Sequence, residues 1–110
     1  MGSSQMAEYL LGDQAEHDLL EIGRYTTRTW GIDQAVRYLS ALDNHFSSIA
    51  HSDALEKAVF KHRDDFRVSR CQHHYVFFVR EGEKSTIILA VLHKNMDLIA
   101  RFRERIDGNA

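Results

Sequence analysis

Seven histidines and one cysteine are the side chains of this sequence with the widest chemical range. Three of the histidines, His62, His73 and His74, lie between Lys57 and His74. The same stretch holds Lys57, Lys61, Arg63, Arg67 and Arg70, against only Asp64 and Asp65 on the acidic side. Such a cluster suits either of two roles. It can form an electropositive sheet edge that meets an acidic peptide or a phosphate backbone, or it can be a solvated strand and loop. A metal reading fails on spacing, since neither His-x3-His nor Cys-x2-Cys occurs. On a strand, adjacent His73 and His74 point to opposite faces. Cys71 and His73 would share a face, yet two ligands fall short of a zinc site. No metal or other cofactor is expected. A serine or cysteine triad lacks its partners, and there is no G-x-S-x-G elbow and no phosphate loop. His93 is the best candidate for a general base. It fits equally well as a structural histidine bonded to the backbone, with Asp97 four residues on as the group that would bond its ring.

These residues need elements to position them. Glu8-Tyr9-Leu10-Leu11 reads as a short strand ended by Gly12. Asp13 stands as a helix cap with Glu16 three residues on, in the manner of a capping box. Ala15, Leu19, Ile22, Thr26 and Trp30 then form one helical face, closed by Gly31. Asp33 caps a second helix with Ala35, Tyr38, Leu39, Leu42, Phe46 and Ile49 on its stripe. The short link predicts an antiparallel helical hairpin. Ala50 to Ala58 reads as an irregular surface segment. Phe66, Val68 and Arg70 open a period-two alternation. Tyr75 to Arg80 and Thr86 to Leu92 are strand-prone runs joined by a hairpin link at Glu81-Gly82-Glu83-Lys84. The second run is apolar on both faces, so it belongs at the centre of a covered sheet. A last helix, from Asn95 to Ile106, puts Leu98, Ile99, Phe102 and Ile106 inward. The order β-α-α-β-β-β-α predicts an α+β fold with a mostly antiparallel sheet. Leu19, Ile22, Trp30, Leu39, Leu42, Phe46, Phe77, Ile88, Ala90 and Leu92 are the expected core.

The chain has 110 residues, a size that predicts a single domain. The first five residues, 1–5, read as a remnant of cloning, with Met6 as the native start, residues 6–106 as the domain and 107–110 as a loose tail. A net charge of −2 argues against a protein that coats nucleic acid by charge alone. All 14 lysines and arginines nevertheless lie beyond residue 23, after five acids, Glu8, Asp13, Glu16, Asp18 and Glu21. The longest apolar run, Ile87 to Leu92, is far short of the roughly 20 residues that cross a bilayer, so no membrane role is expected. One cysteine excludes an internal disulfide framework and suits a reducing cytoplasm.

Two segments carry a resemblance. Arg70-Cys71-Gln72-His73-His74-Tyr75-Val76-Phe77-Phe78 and Ile88-Leu89-Ala90-Val91-Leu92-His93-Lys94-Asn95-Met96-Asp97-Leu98 closely resemble the C-terminal half of the ParE toxins, in the RelE/ParE superfamily of type II toxin–antitoxin systems. The N-terminal half agrees through Tyr9-Leu10-Leu11, Ala15-Glu16-His17-Asp18-Leu19, Ile22, Tyr25-Thr26, Trp30-Gly31 and Gln34-Ala35. The resemblance implies the RelE/ParE-like fold, a helical hairpin packed on an antiparallel sheet. It implies a bacterial plasmid-stabilisation toxin that poisons DNA gyrase by trapping the cleaved gyrase–DNA complex, with no catalytic residue of its own. It also implies a ParD-like antitoxin whose C-terminal segment wraps the toxin, so that DNA is reached only indirectly, through antitoxin or gyrase.

The alternative is a RelE-like, ribosome-dependent mRNA endoribonuclease. Such an enzyme needs a base for the 2′-hydroxyl, an acid for the leaving oxygen and cations for the phosphate. His93, Arg67, Arg70 and His74 are the set this sequence could offer. For the antitoxin, the local positive balance points to Arg63, Arg67, Arg70 and Arg80, with the antitoxin segment docked on the sheet and beside the hairpin. For gyrase, the basic face of the last helix points to Arg101 and Arg105.

Overall fold

The computed structural model describes residues 9–81 and 85–108. The expected remnant 1–5, the start at Met6, most of the Glu81–Lys84 link and the end of the tail fall outside these residues. Eight elements follow in order: β1 (Tyr9–Leu11), α1 (Asp13–Trp30), α2 (Ile32–Ala50), β2 (Lys57–Phe60), β3 (Arg63–Cys71), β4 (His74–Glu81), β5 (Ser85–His93) and α3 (Leu98–Gly108). The strands form one sheet in the order β1-β5-β4-β3-β2. Only the β1–β5 pair is parallel.

The helices begin and end for local reasons. Gly12, rather than Asp13, holds the N-cap of α1, and its carbonyl accepts the Glu16 N–H at 3.0 Å. Asp13 and Glu16 sit in the first turn, where negative charge suits the helix dipole. Gly31 serves both helices at once. Its N–H closes α1 on the Thr27 carbonyl, and its carbonyl opens α2 on the Ala35 N–H. Its φ of 96° makes this one-residue junction a place for glycine. Gly23 lets the two helices approach, because a Cβ there would lie 3.3 Å from the Leu39 side chain.

The sheet is covered on both faces. On one, Ala15, Leu42, Phe46 and Ile49 of the hairpin pack on Cys71, Val76, Phe78, Ile88 and Val91. On the other, Phe102 of α3 packs on Phe77, Ala90 and Leu92. Strand β5 is central and apolar on both sides, as expected. A β-bulge at Leu89 shifts its register against β4, where Phe77 faces Ala90 and Phe78 faces Ile88.

Four expectations need correction. Trp30 is 68% exposed, because it ends α1 at the hairpin tip, away from the two cores. Leu19, Ile22 and Leu39 are half-buried and pack against the first core rather than inside it. The segment expected to be irregular, Ala50 to Ala58, ends inside β2, an edge strand of four residues that begins at Lys57. Its exposed-exposed-half-buried-half-buried pattern and register shift leave no alternation for the sequence to display. Helix α3 starts at Leu98 rather than Asn95. The backbone N–H of Asn95 is already taken by the His93 ring, and the Asp97 carbonyl accepts the Arg101 N–H at the helix start.

The β3–β4 hairpin turns through two residues, Gln72 and His73, between the paired Cys71 and His74. Gln72 has a φ of 56°, a conformation that costs a side-chain-bearing residue roughly 1 kcal/mol. Three hydrogen bonds hold it there: Arg70 Nε to the Gln72 carbonyl at 3.0 Å, the His73 N–H to Tyr38 Oη at 3.3 Å, and the Lys94 N–H to the His73 carbonyl at 2.9 Å. Gln72→Gly keeps all three and removes the strain. We expect it to stabilise the protein by about 0.5–1 kcal/mol, read as a rise in melting temperature of roughly 3–6 °C.

Candidate functional site

The β3–β4 turn forms the roof of a polar cluster. Helix α2 supplies Tyr38, β4 supplies His74 at its first position, and β5 supplies His93, the cross-strand partner of His74. The two imidazoles meet edge to face with ring centroids 5.2 Å apart. Tyr38 Oη lies 2.6 Å from His74 Nδ1 and also accepts the His73 N–H. Burial, followed by the neighbouring His93 and His73, pushes the His74 pKa down to about 4, so the ring is neutral at pH 7. Burial raises the Tyr38 hydroxyl, which keeps its proton. Tyr38 Oη thus ties the His73 amide and His74 Nδ1 to α2 through one oxygen. His93 is set in the same way: its Nδ1 accepts the Asn95 N–H at 3.1 Å. That bond replaces the one expected from Asp97.

The expected nuclease set is therefore not assembled. The Nδ1 atom of each imidazole is already engaged within the protein. Arg67 and Arg70 are three residues apart on one strand, so they leave the sheet on opposite faces. Arg67 shares the hairpin face with the histidines. Arg70 lies on the α3 face, its guanidinium 5.6 Å from the Tyr75 ring centroid.

The arginines expected to meet partners divide by what already holds them. Arg80 Nη2 donates to Glu56 Oε2 and to the Ile49 carbonyl, both at 2.8 Å. Arg67 Nε donates to Glu56 Oε1 at 3.0 Å. Glu56 is thus clamped between β3 and β4, and the arginines, Arg80 foremost, hold its carboxyl below the usual range. The same loop is tied by Ser69 Oγ, which donates to the Leu55 carbonyl at 2.6 Å and faces His45 Nε2 at 2.8 Å. Arg105 grips Asp18 at 2.7 Å, and Asp18 also accepts the Val91 N–H at 2.8 Å. Val91 lies past the last residue that β1 pairs, so Asp18 satisfies an amide the short strand leaves open. Arg63 forms a two-point pair with Asp65, at 3.0 and 2.7 Å, and lies over the Phe66 ring. Arg70 and Arg101 are exposed.

Sequence reasoning misses Glu56, Asp18 and Tyr38 as organising residues. Asp18 leaves a signal, an acid on the same helical side as Ala15, Leu19 and Ile22. Tyr38 reads as one more member of the α2 stripe. Glu56 leaves none, since it sits in a loop. Among the described residues no three His, Cys, Asp or Glu side chains gather around a common point that could hold a metal, and burial pushes the Cys71 thiol up.

The chain matches the family described as ParE toxin of type II toxin-antitoxin system, parDE, over residues 9–98. It is 36% identical over 103 residues to Toxin ParE of Escherichia coli, covering 94% of this chain and 100% of that one. It is 32% identical over 92 residues to Toxin ParE1 of Mycobacterium tuberculosis and, separately, to Toxin ParE1 of Caulobacter vibrioides, each covering 84% of this chain and 94% of the relative. In fold it is similar to a chain of the chromosomal ParDE TA system from P. aeruginosa, with TM-score 0.66, 14% identity, and coverage of 80% of this chain and 96% of that one. The YoeB dimer from Staphylococcus aureus gives TM-score 0.54 at 12% identity, over 80% and 97% of the two chains.

Two half-buried titrating groups, His74 and Glu56, act in different pH windows. His74 binds its proton near pH 4 when folded and at its ordinary 6.5 when unfolded. The unfolded chain therefore takes up the proton first, and stability falls as pH drops from 6.5 toward 4. His74→Gln should flatten that fall in urea titrations at neutral and mildly acidic pH. Glu56 acts in the same direction at lower pH, its folded value lying below the ordinary 4.5. Its contribution is present above 4.5 and is lost as pH drops through the folded value. Glu56→Gln should cost about 2 kcal/mol at neutral pH, because two arginines lose their counter-charge, and less in acid.

Proposed function

The chain belongs to the ParE toxin family of type II toxin–antitoxin systems, and we propose that it acts by poisoning DNA gyrase and is neutralised by a ParD-like antitoxin. On this reading the working unit is the segment 6–106, acting in the bacterial cytoplasm. Among the described residues no helix is long and apolar enough to cross a membrane. The toxin breaks no bond itself and holds gyrase at its cleaved-DNA stage through protein contact. The observation that carries the non-enzymatic side of this proposal is the state of the histidines. His93 Nδ1 accepts the Asn95 N–H and His74 Nδ1 is paired with Tyr38 Oη, so neither Nδ1 is open to a 2′-hydroxyl proton.

The contacts of this proposal rest on the exposed cations. For gyrase, Arg101 is the accessible one of the two expected arginines, since Arg105 is committed to Asp18. For the antitoxin, Arg70 and Arg63 are the outward bases. An incoming carboxylate at Arg67 or Arg80 would have to compete with Glu56.

Purified toxin added to gyrase and supercoiled plasmid should give gyrase-dependent DNA breaks or lost supercoiling, while mRNA in a translating-ribosome assay stays intact. His93→Gln should retain this effect when folded, and Arg101→Glu should weaken it. Codon-positioned mRNA cuts that disappear in folded His93→Gln would make the protein a ribonuclease instead. Reversing both Arg63 and Arg70 to Glu should slow antitoxin association several-fold at low salt and flatten its salt dependence. Unchanged association kinetics would remove those two residues from the interface.

A further inference from the structure

Helix α3 covers only part of its face of the sheet. Phe77, Ala90 and Leu92 are buried against it, while Phe60, Phe66, Val68 and Tyr75 stay half-buried. Sheet surface is therefore open beside the helix, and its rings carry arginines. The Arg63 guanidinium lies 4.6 Å from the Phe66 ring centroid, that of Arg103 5.3 Å from Phe60 and that of Arg70 5.6 Å from Tyr75. All three arginines are exposed. Another such pair, Arg80 over Phe78, sits on the hairpin face, where Glu56 has taken the charge. Lys57 joins the three arginines, because its cross-strand partner, Val68, packs on the α3 side.

Acids answer this charge only in part. Asp65 holds Arg63 at 2.7 Å, whereas among the described residues no carboxylate pairs with Lys57, Arg70 or Arg103. Arg70 gives its Nε–H to the Gln72 carbonyl and keeps both terminal nitrogens for other partners. Asp64, Glu104 and Asp107 are exposed on β3 and α3, so the face is locally basic without a large positive field. A guanidinium stacked on a ring spends its flat side there and keeps its N–H donors along the edge. That edge matches two oxygens of one phosphate. Several such forks on one open face suit a chain of phosphates better than one small anion. The rings are already capped, so they offer no platform for bases, and the contact is to backbone rather than to sequence.

We propose that this face of β2, β3 and α3 binds the phosphate backbone of duplex DNA directly, through Lys57, Arg63, Arg70 and Arg103. A direct contact departs from the expectation that DNA is reached only through antitoxin or gyrase. The choice of DNA rests on the gyrase reading, which brings the chain beside cleaved duplex. A net charge of −2 keeps the contact weak, so it adds to a hold on gyrase instead of replacing it. Carboxylates of an antitoxin would compete with DNA for the forks of Arg63 and Arg70.

The probe is a fluorescein-labelled duplex of about 20 base pairs and arbitrary sequence, titrated with the whole chain and followed by anisotropy without gyrase. About three to four neutralised phosphates give a log–log salt slope of about −2.7 to −3.6, a loss of roughly 40- to 150-fold in affinity between about 50 and 200 mM salt. Arg70→Gln and Arg103→Gln should each bring that slope nearer zero by about 1. Arg37→Gln, at an exposed position on α2, should leave it unchanged. Arg70→Lys should keep the slope and lose affinity several-fold, because lysine keeps the charge without the stacked fork. Arg103 is exposed, so its substitution leaves the melting temperature in place and the test does not hang on Arg70 alone. A duplex that stays free at about 50 mM salt would overturn the proposal. So would a slope indifferent to both glutamine variants, or one lowered as much by Arg37→Gln. Tighter binding of an RNA duplex of the same sequence would overturn the choice of DNA, and capture of a polyglutamate peptide in preference to the duplex would assign the face to an acidic protein. A chain that makes gyrase break DNA yet leaves the duplex free overturns this proposal and spares the gyrase reading. A chain that holds the duplex with the expected slopes and leaves gyrase unaffected does the reverse.

Discussion

Strand β5 has no face that water can wet, and the rest of the molecule is arranged around that constraint. Thr86, Ile88, Ala90, Val91 and Leu92 are all buried. A strand of this kind needs a cover on each side. The hairpin supplies one and α3 the other, which is why a domain of 110 residues is built in three layers. The bulge at Leu89 belongs to the same solution, since it changes which side chains each cover receives. The backbone needs covering too. Strand β1 pairs with β5 only from Thr86 to Ile88, and the Val91 amide beyond it would be orphaned. Asp18 accepts that amide and is itself neutralised by Arg105. One carboxylate thereby links α1, β5 and α3.

The same economy commits three of the 14 basic side chains, Arg67, Arg80 and Arg105, to acids of the protein itself. The loop between α2 and β2 has little apolar area, and its backbone groups still need partners. Glu56, Arg67, Arg80 and the Ile49 carbonyl form a closed network that fastens the loop to the sheet. Ser69 and His45 add a second tie. Inward-facing arginines of this type are held in place by their acids. A basic residue count taken from the sequence overstates the positive surface, because the charge is already answered inside the molecule.

What is legible in the sequence follows from this division. Elements set by repeated apolar contacts are readable: periodicity places α1 residue for residue, α2 to within one residue at each end, and β4 and β5 with their antiparallel pairing. Elements set by a single contact are not. Strand β2 exists because it pairs with β3 across a register shift, and nothing in Lys57-Ala58-Val59-Phe60 alternates in burial. Sequence places the start of α3 too early because an asparagine looks like a cap, whereas its amide goes to the His93 ring. Trp30 is expected inside on helical phase alone. Phase says which way a side chain points but not whether the partner layer extends that far.

The histidines give the same lesson about function. Their residue types permit acid–base chemistry, and a sequence can offer nothing beyond type and spacing. The chemistry depends on which ring nitrogens are engaged, and that involves Tyr38, 36 residues away from His74, and the amide of Asn95. A neutral imidazole whose lone pair is engaged behaves as a rigid hydrogen-bonding wedge that fixes the β3–β4 turn against β5 and the chain leading into α3. In the folded protein both Nδ1 atoms are committed to internal hydrogen bonds. What remains outward is of another kind: Arg70 over Tyr75, Arg101 on α3, and the apolar groove of the hairpin. Exposed cations and apolar surface of this kind suit contact with other macromolecules.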